Sequence, residues 1–174
     1  MNIVAIISGT LVILAFSWFF SVRHDRHHGI PRFFAFESIY IMLLFNISGW
    51  FNNPFSPRQI ISWILLVGSA YSGLAGYLHL KKNGKSEKNF ENTTTLVTSG
   101  IYGKIRHPLY LSLMLLGCGI MFKDPGRVQL IAGAINLIAC WITALVEEKD
   151  MLKKFGSRYQ EYKLRTSMFI PYII

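Results

Sequence analysis

GIYGKIRHPLYLS, residues 100–112, sets a cluster of cationic donors directly against an apolar run. Lys104, Arg106 and His107 come first, and the chain is then predominantly apolar from Pro108 to Phe122, a run of 15 residues. As a helix that run spans about 22 Å, short of the roughly 30 Å hydrocarbon core of a bilayer. Its start is therefore predicted to be recessed below the headgroups, inside protein. Proline suits the first helical position, where its missing N–H costs nothing. A helix start offers free N–H groups and a partial positive charge, so with Arg106 and His107 beside it this is a candidate anion site. The competing role is interfacial anchoring, with both side chains reaching to the headgroups.

Composition places the chain in a membrane. Of 174 residues 52% are hydrophobic and 16% charged, where soluble domains run near a quarter charged. The length suits a single domain, 1–174. A formal net charge of +9 suggests nucleic acid at first sight, but the basic residues fall between apolar runs and form no stripe. Cys118 and Cys140 both lie inside apolar runs, so neither a disulfide framework nor a metal site is expected.

Five apolar runs are expected to span the membrane: 3–22, 33–51, 59–80, 108–122 and 128–146. The first has no basic residue ahead of it and RHDRHH behind, the reverse of a cleaved leader, so it is expected to remain. With alternating sides, the 22–33 loop, the 81–107 loop and the 147–174 tail hold 15 of the 18 Lys and Arg. The opposite side holds Arg58, Lys123 and Arg127. The positive-inside rule then puts the N-terminus outside and the tail in the cytoplasm. The reading is an all-α, multi-pass transmembrane bundle. Its one long loop, 81–107, contains the polar stretch KNGKSEKNFENTTT and is expected to be partly mobile and functional. The NTT sequon at 92–94 lies on the cytoplasmic side in this topology. In the third run Gly68, Ser72 and Gly76, flanked by Ser69 and Gly73, mark a close helix–helix contact.

In the fifth run Asn136, Cys140, Thr143 and Glu147 follow one helix face, continued outward by Gly133 and Gln129. A polar stripe toward lipid is costly, so this face is expected to look into the bundle. Asn136, Cys140 and Thr143 read as packing residues. Glu147 lies at the depth where the fourth helix begins, and Glu148 is turned about 100° away. After the acids, Leu152, Phe155, Tyr159 and Tyr162 keep helical spacing among Lys and Arg, a pattern suited to a segment at the membrane surface. Glu37, four residues into the second run, reads as an interfacial acid paired with Arg32, or else as part of an acceptor site.

Two motifs in this order, L-x-x-x-G-I-Y-x-x-x-R-H-P-x-Y (96–110) and E-E-x-x-x-L-x-x-x-F-G-x-x-Y-x-x-Y (147–162) with Pro171 after them, resemble the membrane isoprenylcysteine carboxyl methyltransferases and phospholipid methyltransferases. The resemblance covers somewhat under half the chain. It implies a methyltransferase using S-adenosyl-L-methionine, held in a cytoplasmic pocket lined by Gly100, Tyr102, Arg106, His107, Tyr110, Glu147 and Glu148. Arg106 and His107 suit its carboxylate, Glu147 and Glu148 its ammonium or ribose hydroxyls, and Tyr102 or Tyr110 its sulfonium. No catalytic nucleophile is expected; Arg106 and Glu147 serve positioning. The acceptor is expected to be a lipophilic or amphipathic small molecule reached from the lipid bilayer, with no nucleic-acid partner. One departure stands out. Family members often carry His, Gly and then Trp near the start of the long loop, whereas His79 and Gly84 are followed here by Phe90. Two other functions fit parts of the pattern: a membrane reductase-like protein binding a nicotinamide dinucleotide, and a non-catalytic lipid-binding protein.

Overall fold

The structure is a computed structural model, and it describes residues 3–20, 29–84 and 94–171. Five apolar helices form where five apolar runs are expected: α1 (Ile3–Phe20), α2 (Gly29–Asn46), α3 (Pro57–Asn83), α4 (Pro108–Met121) and α5 (Arg127–Phe155). A sixth, α6 (Ser157–Arg165), is short and polar. Three stretches, Gly29–Gly49, Pro57–Asn83 and Arg127–Phe155, are long and apolar enough to cross a membrane, while α1 and α4 are shorter apolar helices. Among the described residues there is no β-strand. Phe90, the RHDRHH segment and most of the polar stretch after Gly84 lie outside the described residues.

Local chemistry sets the helix ends. Ser56 caps α3, its hydroxyl accepting from Gln59 N at 3.4 Å, and Pro57 occupies the first position. α2 begins four residues before the expected run, because Gly29-Ile30-Pro31 supplies a first turn that tolerates proline. α5 runs nine residues past Val146, through EEKDMLKKF, where nothing breaks a helix until Gly156. At Gly156 φ is +56°, a conformation glycine adopts without cost, and the chain turns sharply into α6. The acids therefore sit within a continuous helix, not at its frayed end.

α3 packs chiefly on α4 and α2 on α5, with α4 also against α5 and α2, and α1 against α2. The small-residue stripe of α3 makes the α3–α4 contact close. A Cβ on Gly73 would lie 2.7 Å from Ser112 Oγ, and one on Gly76 would lie 3.1 Å from Pro108 Cγ. Ser62 and Ser69 donate across to the carbonyls of Gly119 (2.7 Å) and Ser112 (2.8 Å). Such interhelical bonds are worth roughly 0.6 kcal/mol each in lipid.

The polar face of α5 does look into the bundle. Gln129, Asn136, Cys140 and Thr143 are buried. Gln129 Nε2 donates to Asn46 Oδ1 at 2.7 Å, and Asn136 Nδ2 to the Ala35 carbonyl at 3.1 Å. Glu37 lies inside α2, with Oε1 accepting from Thr10 Oγ1 of α1 at 2.7 Å, so it joins α2 to α1.

The end of the bundle away from the acids holds a second polar knot. Lys123, between α4 and α5, is fully enclosed. Its Nζ lies 3.2 Å from the Trp63 ring centroid and donates to Gln59 Oε1 at 2.9 Å. Gln59 Nε2 reaches the carbonyls of Gly49, Asn52 and Lys123. Lys123 thus tethers three chain segments.

A candidate active site at the start of the fourth helix

α4 begins at Pro108, as its sequence predicts, and that start is buried. Gly76 allows it, since any side chain there would meet Pro108. Over it passes the segment after α6. Arg106 N donates to Ser167 O at 2.9 Å, Ser167 N to Lys104 O at 3.1 Å, and His107 N to Met168 O at 3.1 Å. Residues 166–171 thus form a strap across the motif loop, joined at an isolated parallel bridge between Ile105 and Ser167.

An anion does sit beside this helix start, and it belongs to the protein. Arg106 Nε donates to Glu148 Oε1 at 2.7 Å, with only 9% and 5% of the two side chains exposed. The guanidinium also donates to the carbonyls of Lys163 (3.3 Å) and Thr166. Lys163 Nζ reaches the other carboxylate oxygen, Glu148 Oε2, at 2.5 Å. Buried charges persist only when paired and hydrogen-bonded this completely. Arg106 and Glu148 therefore bind α4, α5 and α6 to one another. Arg106 is expected to face a cofactor carboxylate; in this structure its guanidinium is held by Glu148 and two backbone carbonyls.

A correction concerns which acid is buried. Glu147 is expected on the inward face, but Glu148 is the buried one, while 32% of the Glu147 side chain is exposed. The buried face passes through Asn136, Cys140 and Ala144 to Glu148 in steps of four. In the tail, which is expected at the membrane surface, Tyr159 and Tyr162 are buried within the protein, and Tyr162 Oη donates to the Tyr102 carbonyl at 2.7 Å. Burial pushes both phenols above their ordinary pKa, Tyr159 further by the nearby carboxylates.

His107 stands between the two acids. Its Nε2 lies 3.5 Å from Glu148 Oε1 and its Nδ1 4.0 Å from Glu147 Oε2. The first distance is too long for a good hydrogen bond, and among the described residues no other acceptor reaches the buried Nε2. Around the imidazole are Tyr110 (5.6 Å between centroids) and Phe169 (6.1 Å), with Trp141 beyond Phe169 at 5.7 Å. So His107, Tyr110, Glu147, Glu148 and Arg106 come together, and Tyr102 joins them through Tyr162. Gly100 stands apart. It holds φ at +61°, and a Cβ there would lie 2.5 Å from His79 Cε1, so it seats the motif loop against the end of α3. Lys163, Phe169 and Trp141 are not singled out by sequence. Lys163 follows the last tyrosine of the second motif directly, and that adjacency is the one signal it offers.

With this geometry in view, comparison with known proteins is decisive. A family model described as phospholipid methyltransferase matches residues 57–158. The chain belongs to that family. The matched stretch runs from the start of α3 to the start of α6 and so includes Arg106, His107 and both acids. A methanethiol S-methyltransferase of Bradyrhizobium diazoefficiens is 32% identical over 41% of this chain and 25% of its own length. The human protein-S-isoprenylcysteine O-methyltransferase is 27% identical over 73% of this chain and 50% of its own. A cobalt-zinc-cadmium resistance protein of Cupriavidus metallidurans is 33% identical over 74% of this chain and 56% of its own. The chain thus spans about a quarter to somewhat over half the length of these relatives. No solved structure matches it significantly.

Proposed function

We propose that this chain is a membrane-embedded methyltransferase that uses S-adenosyl-L-methionine and methylates a lipophilic or amphipathic acceptor. One observation carries the reading: side chains from the two family motifs, 42 positions apart, converge on one buried charge cluster at the recessed start of α4. Named methyltransferases among the relatives give the reaction class.

The residues present fit the donor. A sulfonium is stabilised by aromatic faces, and the rings of Tyr110 and Phe169 beside His107, with Trp141 behind Phe169, supply them. Glu147 is the acid not locked into the Arg106 network and partly open, so it would take the ammonium or a ribose hydroxyl. His107, whose buried Nε2 makes no close hydrogen bond and lies 3.5 Å from Glu148 Oε1, would hold a carboxylate or hydroxyl through its ring. Bound S-adenosylmethionine supplies an electrophilic methyl carbon on sulfur. The chain's own task is alignment, since direct displacement depends mainly on holding the reacting atoms in line. Arg106 and Glu148 are positioning residues, keeping His107 and Glu147 in register by joining α4, α5 and α6. Five spans, with the N-terminus outside and this cluster at the cytoplasmic face, complete the proposal.

The test is calorimetric titration of the purified protein in detergent with S-adenosylhomocysteine, and separately with a nicotinamide dinucleotide. Saturable binding of the first alone is expected. Binding of the second alone would replace the proposal with a reductase-like one, and binding of neither would make the fold a non-catalytic lipid binder. Incubation with radiolabelled methyl donor and total membrane lipid then identifies the acceptor.

A further inference from the structure

On the face of α3 and α4 lies a cavity of about 770 Å³, within the range of small-molecule sites. It exists because the two helices differ in length. α3 continues from Gly76, level with Pro108, to Asn83, about 10 Å beyond the start of α4. The motif loop folds back over that overhang, with Gly100 seated on His79. The wall is apolar, formed by Ala75, Leu78, Leu111 and Leu115. Ser72 also lines it, but its hydroxyl is spent on the Gly68 and Ser69 carbonyls of its own helix. Charge enters only at one end, where Lys82 and Lys104 line the cavity together, and no Asp or Glu is among the lining residues.

We infer that this cavity binds an anionic phospholipid, its acyl chain along the apolar wall and its phosphate between Lys82 and Lys104. The inference rests on the proposed membrane placement, which puts both lysines at headgroup depth on the cytoplasmic side. Charge complementarity selects the occupant. A zwitterionic lipid would use the wall but bring a cationic group to the lysine rim beside its phosphate and so gain less there, and a free phosphate would use the rim and leave the wall bare.

The experiment is native mass spectrometry of the full chain released from neutral detergent. It is titrated with phosphatidylglycerol or with phosphatidylcholine of the same acyl chains. One retained phosphatidylglycerol, preferred over phosphatidylcholine, is expected. The exposed substitutions Lys82→Gln and Lys104→Gln should each lower its affinity about 5-fold, and together about 25-fold, at roughly one unit of headgroup attraction per lysine. Ala75→Trp fills the cavity and should abolish retention of both lipids. Equal retention of the two lipids by the native chain, unchanged selectivity in the double variant, or displacement by inorganic phosphate alone would overturn the inference. S-adenosylhomocysteine binding measured on the same samples separates the two proposals. Donor binding without lipid selectivity removes only this one. A bound phosphatidylglycerol that gains a methyl group from added donor would support it and identify the cavity as the acceptor site.

Discussion

Arg106 Nε and Glu148 Oε1 lie 2.7 Å apart in a setting almost closed to solvent, and Lys163 holds the second oxygen of the same carboxylate. This pair, not Glu147, is the junction of α4, α5 and α6. The two neighbouring acids therefore separate by function. Glu148→Gln leaves Arg106 and Lys163 without their anion and should cost about 3–5 kcal/mol of stability, seen as a lowered thermal midpoint. Glu147→Gln should leave that midpoint nearly unchanged and weaken donor binding by roughly 10-fold or more, the loss expected for one charge-assisted contact. A reversed order in the two measurements would overturn this division of roles.

Arg106→Lys tests the shape of the contact as well as its charge. The guanidinium bonds a carboxylate and two carbonyls at once, a geometry that a single ammonium does not reproduce. The variant should loosen the 166–171 strap, raising hydrogen exchange at the amides of Ser167 and His107. Exchange at α3 should not change.

Gly100→Ala meets two obstacles, a φ of +61° and the His79 ring 2.5 Å from the new methyl. A cost of roughly 1–3 kcal/mol is expected from the backbone alone, with the clash added. Adding His79→Ala should recover the steric part and leave the backbone part. A double-mutant cycle of unfolding free energies separates them.

The tyrosines of α6 make stability sensitive to alkali. Tyr159 and Tyr162 are raised above the ordinary value of 10.0, first by burial. Above pH 10 the unfolded chain gives up these protons while the folded chain keeps them. Stability is therefore complete below about pH 10 and falls as pH rises, by roughly 1.4 kcal/mol per group per pH unit. Thermal midpoints between pH 8 and 11 should show this slope, and Tyr159→Phe should flatten it.

Topology is checked by an impermeant thiol reagent on intact cells. A cysteine at Asn53 should react from outside and one at Gly84 should not. At the end of the bundle away from the acids, Lys123→Ala should cost about 2 kcal/mol or more, since it strands Gln59 Oε1 and empties the space under Trp63. Donor binding, at the other end of the bundle, should be unaffected.

The sequence by itself determined the five apolar helices, the start of the short one at Pro108, the close α3–α4 seam at Gly73 and Gly76, and the two motifs that name the family. Each is local: a run length, a proline, a spacing of small residues. The tertiary structure alone decided which of two adjacent acids is buried. Sequence periodicity favours Glu147, one turn after Thr143, but in the fold Ala144, one turn before Glu148, is as fully enclosed as Thr143. The choice falls to Glu148 because Arg106 and Lys163, 42 and 15 residues away, lie on its side. Lys123 gives the same lesson. In sequence it counts as one of three outer cations, and in the fold it is sealed under Trp63. A charge in a membrane bundle is placed by the partner that can satisfy it after desolvation, and that partner comes from another helix.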